Sequence, residues 1–422
     1  MKQSAKLFDS RYLWPFILVT TLFLFWGIPN NLNDVLIRQF MKSFEINRLN
    51  AGLVQSAFYM GYFLIPIPAA AFMRRYGYKS GLIFGMLMFG IGTILFWPSA
   101  IVGKYIFFLG SLFVIASGLA FLELGANAFI VELGDPSTSE RRLNFSQAFN
   151  PIGAVLGVLI GTLFIFSGIE PDEKTVEVMK TAGTYDSFLS SEIMRVVKPY
   201  LILGAMVLVW TFLMSRAKFP KVEIQDKEAL KENYRELLKH PHFVKAVISQ
   251  FFYNGAQVGT WSFFIQYVLD YTGQGEKFAG FMLTGTLIAF GVGRFSATYF
   301  MKYIHPSKLM GIYGLANLVL VTIGILFPGW IGVWCIFATS FFMSLMYPTN
   351  FASGVKGLGN LTKIGGSVLV MSIVGGAIFP PLMGLLAEQT NMAIAMVLPL
   401  ICYLYITYYA FDSLKSQECK AS

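Results

Sequence analysis

Charge is what this chain has least of. Only 13% of its 422 residues are Asp, Glu, Lys or Arg, about half the roughly 25% of a soluble domain. Histidine is scarcer still. The three present, His240, His242 and His305, fall at loop positions, so no metal site and no cofactor is expected. The three cysteines, Cys335, Cys402 and Cys419, have no pairing spacing, and two sit inside apolar runs, so they read as small packing residues rather than a disulfide framework. No G-K-[ST] follows the glycine pairs Gly365-Gly366 and Gly375-Gly376, which therefore read as close-packing devices and not phosphate loops. The net charge of +9 is not gathered into a basic helix or a basic stripe interleaved with aromatics, so no nucleic acid partner is expected. The apolar run from Leu13 is too long for a cleavable signal.

What the chain has is apolar length. Hydrophobic residues make up 55% and there are 41 Phe, with a mean hydropathy of +0.61. The charges lie in short islands between apolar runs, the pattern of a chain whose solvent is lipid. A helix needs roughly 20 apolar residues to cross about 30 Å of hydrocarbon. Twelve stretches qualify: 14–39, 50–73, 80–99, 105–132, 143–168, 196–215, 244–270, 278–301, 308–327, 330–355, 364–387 and 391–411. Pro328-Gly329 marks the tightest turn between them. With both termini inside, and with charges at the span ends counted with the segments they adjoin, the cytoplasmic segments hold 22 Lys and Arg and the external ones 8. This asymmetry predicts a multi-pass membrane protein with cytoplasmic termini.

The stretch 169–195 is then external. The charged, helix-favouring stretch 216–243 is a cytoplasmic linker between an N-terminal six-helix bundle (1–215) and a C-terminal one (244–422). A weak repeat supports the duplication: Met73-Arg74-Arg75-Tyr76-Gly77-Tyr78-Lys79 after span two is echoed by Met301 to Lys308 after span eight. The expected fold class is an all-α membrane protein of twelve transmembrane helices in two six-helix bundles, the major facilitator layout. A small polar solute is its expected cargo.

An ionisable group at the centre of a span costs at least roughly 2.5–3.5 kcal/mol, so each is a functional candidate. Asp34 closes the run Asn30-Asn31-Leu32-Asn33-Asp34, and Asn30 and Asn31 share its helical face. A helix end reaching headgroups is the alternative. Glu123 lies mid-span with Asn127 one turn on and no base nearby in sequence. It suits a group that takes up and releases a proton as water and substrate come and go; a purely structural Glu is the alternative. Gln147 and Asn150 precede Pro151; Asn254, Gln257 and Trp261 form one face of span seven; Tyr347 and Asn350 flank Pro348. Amides beside an aromatic plane suit a sugar, whose hydroxyls need donors and acceptors and whose C–H face stacks on rings. Interhelical polar glue is the competing use. Arg294, about 12 Å deeper than Lys302, reads as snorkelling or interhelical.

At these residues the sequence resembles the fucose–proton symporter family of the major facilitator superfamily, from about residue 16 to 410. The resemblance rests on Asn30 to Asp34, on Ala51-Gly52-Leu53-Val54-Gln55-Ser56-Ala57-Phe58-Tyr59 through Pro66-Ile67-Pro68, and on Arg142-Leu143-Asn144 leading to Gln147-Ala148-Phe149-Asn150. Gly255-Ala256-Gln257 with Trp261-Ser262, Tyr347-Pro348-Thr349 and Val374-Gly375-Gly376 complete it. It implies proton-coupled uptake of a monosaccharide such as L-fucose by alternating access. By the same resemblance Asp34 matches the first-helix proton carrier and Glu123 the fourth-helix acid linking proton and sugar. Asn150, Gln257 and Tyr347 match residues lining the central cavity. Two departures stand out. The family's fourth-helix motif Glu-Thr-Ala-Ala-Asn-Pro is here Glu123-Leu124-Gly125-Ala126-Asn127-Ala128, and Met346 and Asn350 stand where a fucose-carrying member has Gln and Ile.

The expected partners are a monosaccharide, protons and the lipid bilayer, with the chain a monomer. Two alternatives remain at this point: a membrane sugar sensor using the same cavity, and sodium coupling. An intramembrane enzyme ranks last, because the spans hold no His and no nucleophile–base pair.

Overall fold

The structure is a computed structural model that describes residues 13–133, 139–219, 234–301, 303–358 and 361–421. Lys2, Lys6, Arg11, Lys302 and the middle of the linker lie outside the described residues. In chain order the helices are α1 (Leu13–Ser43), α2 (Arg48–Leu64), α3 (Pro66–Ile94), α4 (Phe96–Val102), α5 (Tyr105–Glu132), α6 (Ser139–Gln147) and α7 (Phe149–Ile160), the last running into a π-turn at Gly161–Ile165. There follow α8 (Glu173–Thr181), α9 (Tyr185–Arg216), α10 (Tyr234–Leu237), α11 (Pro241–Thr272), α12 (Glu276–Phe300), α13 (Pro306–Leu326), α14 (Trp330–Met343) and α15 (Met346–Val355). The chain closes with α16 (Thr362–Met371), a 3-10 turn (Ser372–Val374), α17 (Gly375–Gln389), α18 (Met392–Ala395) and α19 (Val397–Ala421).

Ten of the described helices are long and apolar enough to cross a membrane by length and composition. The twelve-span reading adds two. Span two is α2 continued into the first turns of α3: the proline at 66 removes one N–H, yet Ala69 N still donates to Ile65 O (2.9 Å) and the chain runs on. It turns only at Gly77, whose φ of +83° suits a residue without Cβ. Span seven is α11, which carries Gln250, Asn254, Gln257 and Gln266 and is correspondingly less apolar.

Two compact units result, one of Met1–Phe44 with Met60–Lys227 and one of Glu45–Tyr59 with Glu228–Ser422. In the first, α1 packs on α7 and α3 on α5. A Cβ at Gly27 would overlap the Asn150 carbonyl, one at Gly153 the Leu24 carbonyl and one at Gly157 that of Ile28. Small residues thus let the two backbones touch, which is how helices associate where lipid removes the hydrophobic drive. In the second unit α11 is central, packed on α17, α19 and α15. Here Ser56 Oγ donates to Ala377 O (2.6 Å), the carbonyl that the proline four residues on, Pro381, leaves without its helical donor. Outward faces are apolar, as at Ile101, Ile202, Phe295 and Ile331.

Helix limits differ from the sequence reading most at span six. α9 begins at Tyr185, eleven residues before the apolar stretch at 196. The charges that mark the earlier boundary are neutralised in place. Glu192 pairs with Lys42 (2.7 Å) and accepts from Gln39 Nε2 (3.0 Å), while Arg195 donates to the carbonyls of Ile165 and Phe166 (2.7 and 3.0 Å). Arg142, assigned to a cytoplasmic segment, is fully buried and donates to Ile130 O of α5 (3.1 Å).

Candidate functional site

The candidate residues of the first unit lie on α1, α5, α6 and α7. Pro29 lies inside α1 just before the amide run. Asn31 Nδ2 donates to Gly27 O (3.1 Å), Asn30 is half-buried, and Asp34 is buried at 3% exposure. Across the glycine contact Asn150 Nδ2 reaches Phe23 O (3.4 Å), so α7 presents its amide to α1. On α5, Asn127 Oδ1 accepts from Gln147 Nε2 of α6 (3.1 Å). Glu123 lies one turn before Asn127, half-buried, with no hydrogen bond or ion pair to any described residue. A mid-span carboxyl without a protein partner is a group left for a ligand or a proton.

In the second unit α11 carries a polar stripe at helical spacing. Asn254 Nδ2 donates to Gln250 O (2.8 Å), and Trp261 Nε1 donates to Ser340 Oγ (3.0 Å), which also accepts from Thr286 Oγ1 (2.6 Å). The Trp261 ring stands edge-on to Phe290 at 5.2 Å. These contacts fix the indole, so it offers a preset plane. Asn350 Oδ1 accepts from Ser249 Oγ (3.1 Å), while its Nδ2 is buried without a partner among the described residues. Tyr347 meets Tyr253 edge-on at 6.0 Å. Gln257 is half-buried and makes no hydrogen bond to any described residue.

Among the described residues no group of three or more His, Cys, Asp or Glu could hold a metal ion, and Cys335 and Cys402 are free thiols.

The model of the Major Facilitator Superfamily matches residues 8–380. The chain belongs to that superfamily. Membership makes it a membrane transporter and not an enzyme. It is 37% identical to the L-fucose-proton symporter of Escherichia coli over 409 residues, covering 95% of this chain and 93% of that protein. To the glucose/galactose transporter of Brucella abortus it is 33% identical over 411 residues, 97% and 96% of the two chains. The crystal structure of the major facilitator transporter FucP in the outward conformation superposes with a TM-score of 0.71 at 37% identity, over 96% of this chain and 99% of that one.

Some polar groups of this transporter were not singled out from sequence. Asn33 is fully buried with neither side-chain atom bonded to a described residue, and the same holds for Gln250. The signal was present for Gln250, which extends the stripe Asn254, Gln257, Trp261 by one turn. Asn33 lay inside the quoted run, but as the immediate neighbour of Asp34 it points about 100° away from it around the helix. Ser340, the acceptor that sets Trp261, gave no signal, because a Ser within an apolar run is ordinary.

Proposed function

We propose that the chain is a proton-coupled symporter that takes up a monosaccharide by alternating access. The observation that carries the reading is Glu123, a mid-span carboxyl with no protein partner among the described residues. Near-full-length identity to proteins named as an L-fucose-proton symporter and a glucose/galactose transporter supports both halves of it. Asp34 is the proton carrier and Glu123 links protonation to sugar. Asn30, Asn31, Asn127, Gln147 and Asn150 in the first unit, with Asn254, Gln257, Trp261, Tyr347 and Asn350 in the second, bind the sugar. Amides such as Gln257 and Asn350 Nδ2, without a hydrogen-bond partner among the described residues, give hydroxyls partners, and a fixed indole gives the C–H face a plane.

The organisation proposed is two six-helix bundles, 1–215 and 244–422, joined by a cytoplasmic linker at 216–243, working as a monomer in the bacterial inner membrane with both termini inside. The Lys and Arg asymmetry of 22 against 8 supports that orientation. The test is uptake into proteoliposomes of L-fucose, D-galactose and D-glucose, with and without an imposed inward proton gradient. Concentrative uptake of at least one sugar only with the gradient is expected. Sugar uptake indifferent to the proton gradient but driven by sodium would overturn the coupling, and no uptake of any of the three would overturn the substrate class.

A further inference from the structure

A cavity with basic groups in its wall lies in the second unit, and none of the amides or aromatics assigned to sugar lines it. It has a volume of about 360 Å3 and forms where the end of α12, the start of α13 and the end of α15 meet. That size sits at the low end of the roughly 300–1,000 Å3 of ligand pockets. Its wall contains Arg294, His305 and Lys356 and no carboxylate, with hydroxyls from Thr298, Ser307 and Ser353.

The groups are poised as donors. Pro348 has no N–H to give Ser344 O, four residues back, and Arg294 Nε takes that place (3.4 Å). The guanidinium also lies over the Phe290 ring at 4.9 Å. Held at Nε and by its face, Arg294 keeps its two terminal nitrogens for another acceptor, and its guanidinium makes no other hydrogen bond or ion pair to a described residue. His305 caps α13, its Nδ1 accepting from Ser307 N (3.3 Å). In the neutral ring the proton is then on Nε2, which donates. The start of α13, a helix of 21 residues, adds the positive end of its dipole.

Cations at the C-terminal ends of α12 and α15 would by themselves only complement helix dipoles. What points to a ligand is Ser307. It is 1% exposed, lines the cavity, and its Oγ has no hydrogen-bond partner among the described residues. A buried hydroxyl left unmatched is costly, and an anion in the cavity supplies its acceptor.

We propose that this cavity binds a phosphate-bearing anion: Arg294 as a fork, Lys356 and His305 as flanking donors, and Ser307 at its floor. Planar, charge-assisted donors at a helix N-terminus match tetrahedral oxyanions. The cavity lies at the end of the unit that the Lys and Arg distribution assigns to the cytoplasm, at the level where helices end and headgroups begin. Basic pockets between helices at that level bind anionic headgroups. The same chemistry admits soluble phosphate.

The experiment uses the purified full chain in detergent, with phosphatidylglycerol, phosphatidylcholine and inorganic phosphate as separate additions. Retained ligand is read by native mass spectrometry and stabilisation by thermal unfolding. Phosphatidylglycerol or inorganic phosphate should bind and raise the melting temperature, and phosphatidylcholine should do so less. Binding of the lipid alone assigns a headgroup; binding of inorganic phosphate as well assigns a site open to soluble anions. Arg294→Gln with Lys356→Gln should weaken binding by about tenfold or more, the scale of losing a charge-assisted hydrogen bond. Lys308→Gln, a basic residue at the same end but outside the cavity wall, should change nothing. Ala352→Phe fills the cavity and keeps every charge, so it decides the matter should the charge variant fold poorly. Binding equal to wild type in Ala352→Phe, or an equal loss in Lys308→Gln, would overturn the site.

Discussion

The two units carry different chemistry. Both mid-span carboxyls, Asp34 and Glu123, belong to the first, whose polar neighbours are amides. In the second, Asp270, Glu276 and Glu388 sit near helix ends and Asp412, in the second half of α19, pairs with Lys245, and the interior offers amides beside a fixed indole and paired tyrosines. Their ion pairs differ too. The first unit ties α1 to α9 through a pair buried to 9% and 2% side-chain exposure, Lys42 with Glu192. The second uses Arg48 with Asp270, each side chain 21% exposed. On the assignment proposed above, the proton-carrying carboxyls lie in the first unit and the aromatic plane for the sugar in the second, so proton and sugar steps should be separable by mutation.

The largest effect should come from Asp34→Asn. Proton-driven accumulation in proteoliposomes is expected to fall to background while sugar exchange persists; normal accumulation would end the assignment of proton chemistry to the first unit. Next is the ion-pair contrast. Lys42→Met leaves Glu192 buried and uncompensated, and should lower stability by about 3–5 kcal/mol. Arg48→Met breaks a more exposed pair and should cost about 0–1 kcal/mol. Thermal unfolding of the two variants tests this, and equal losses would erase the contrast.

Glu123→Gln keeps size and hydrogen bonding but cannot titrate. The variant should bind sugar with an affinity much flatter between about pH 5 and 8 than that of the wild type, read by calorimetry. The same pH dependence in both would make Glu123 interhelical glue. Gln257→Ala, in the second unit, should do the converse: a loss of about 0.5–1.5 kcal/mol in sugar affinity, one hydrogen bond's worth, with the pH dependence intact.

The smallest effect concerns helix caps. Asp172 caps α8, accepting from Thr175 Oγ1 and from Thr175 N (3.0 Å). The hydroxyl bond first and the backbone bond second hold its carboxyl below the usual range. Its contribution is therefore complete above the ordinary Asp pKa and is lost as pH falls through the lowered value. The corresponding cap of α18 is Asn391, accepting from Ile394 N (2.9 Å), which does not titrate. Amide exchange in Glu173–Thr181 should rise at acid pH while Met392–Ala395 stays level. A parallel rise in both would point to general acid unfolding instead.

Sequence by itself determined that this chain lives in lipid as a twelve-span bundle, and it named the mid-span acids. Membrane insertion sums over a local window of side chains, so a run of apolar residues declares itself without reference to the rest of the fold. Asp34 and Glu123 were legible for the same reason: a charge in such a run is costly wherever the helix packs. Only the tertiary structure decided which polar groups are already matched. Gln147 meets Asn127, Trp261 is set by Ser340, and Glu192, by finding Lys42, joins the eleven residues before the apolar stretch to α9, while the side chains of Asn33, Gln250 and Ser307 are left without hydrogen-bond partners among the described residues. Those outcomes depend on groups far apart in the chain, and a hydrogen bond between helices leaves no trace in the spacing of either.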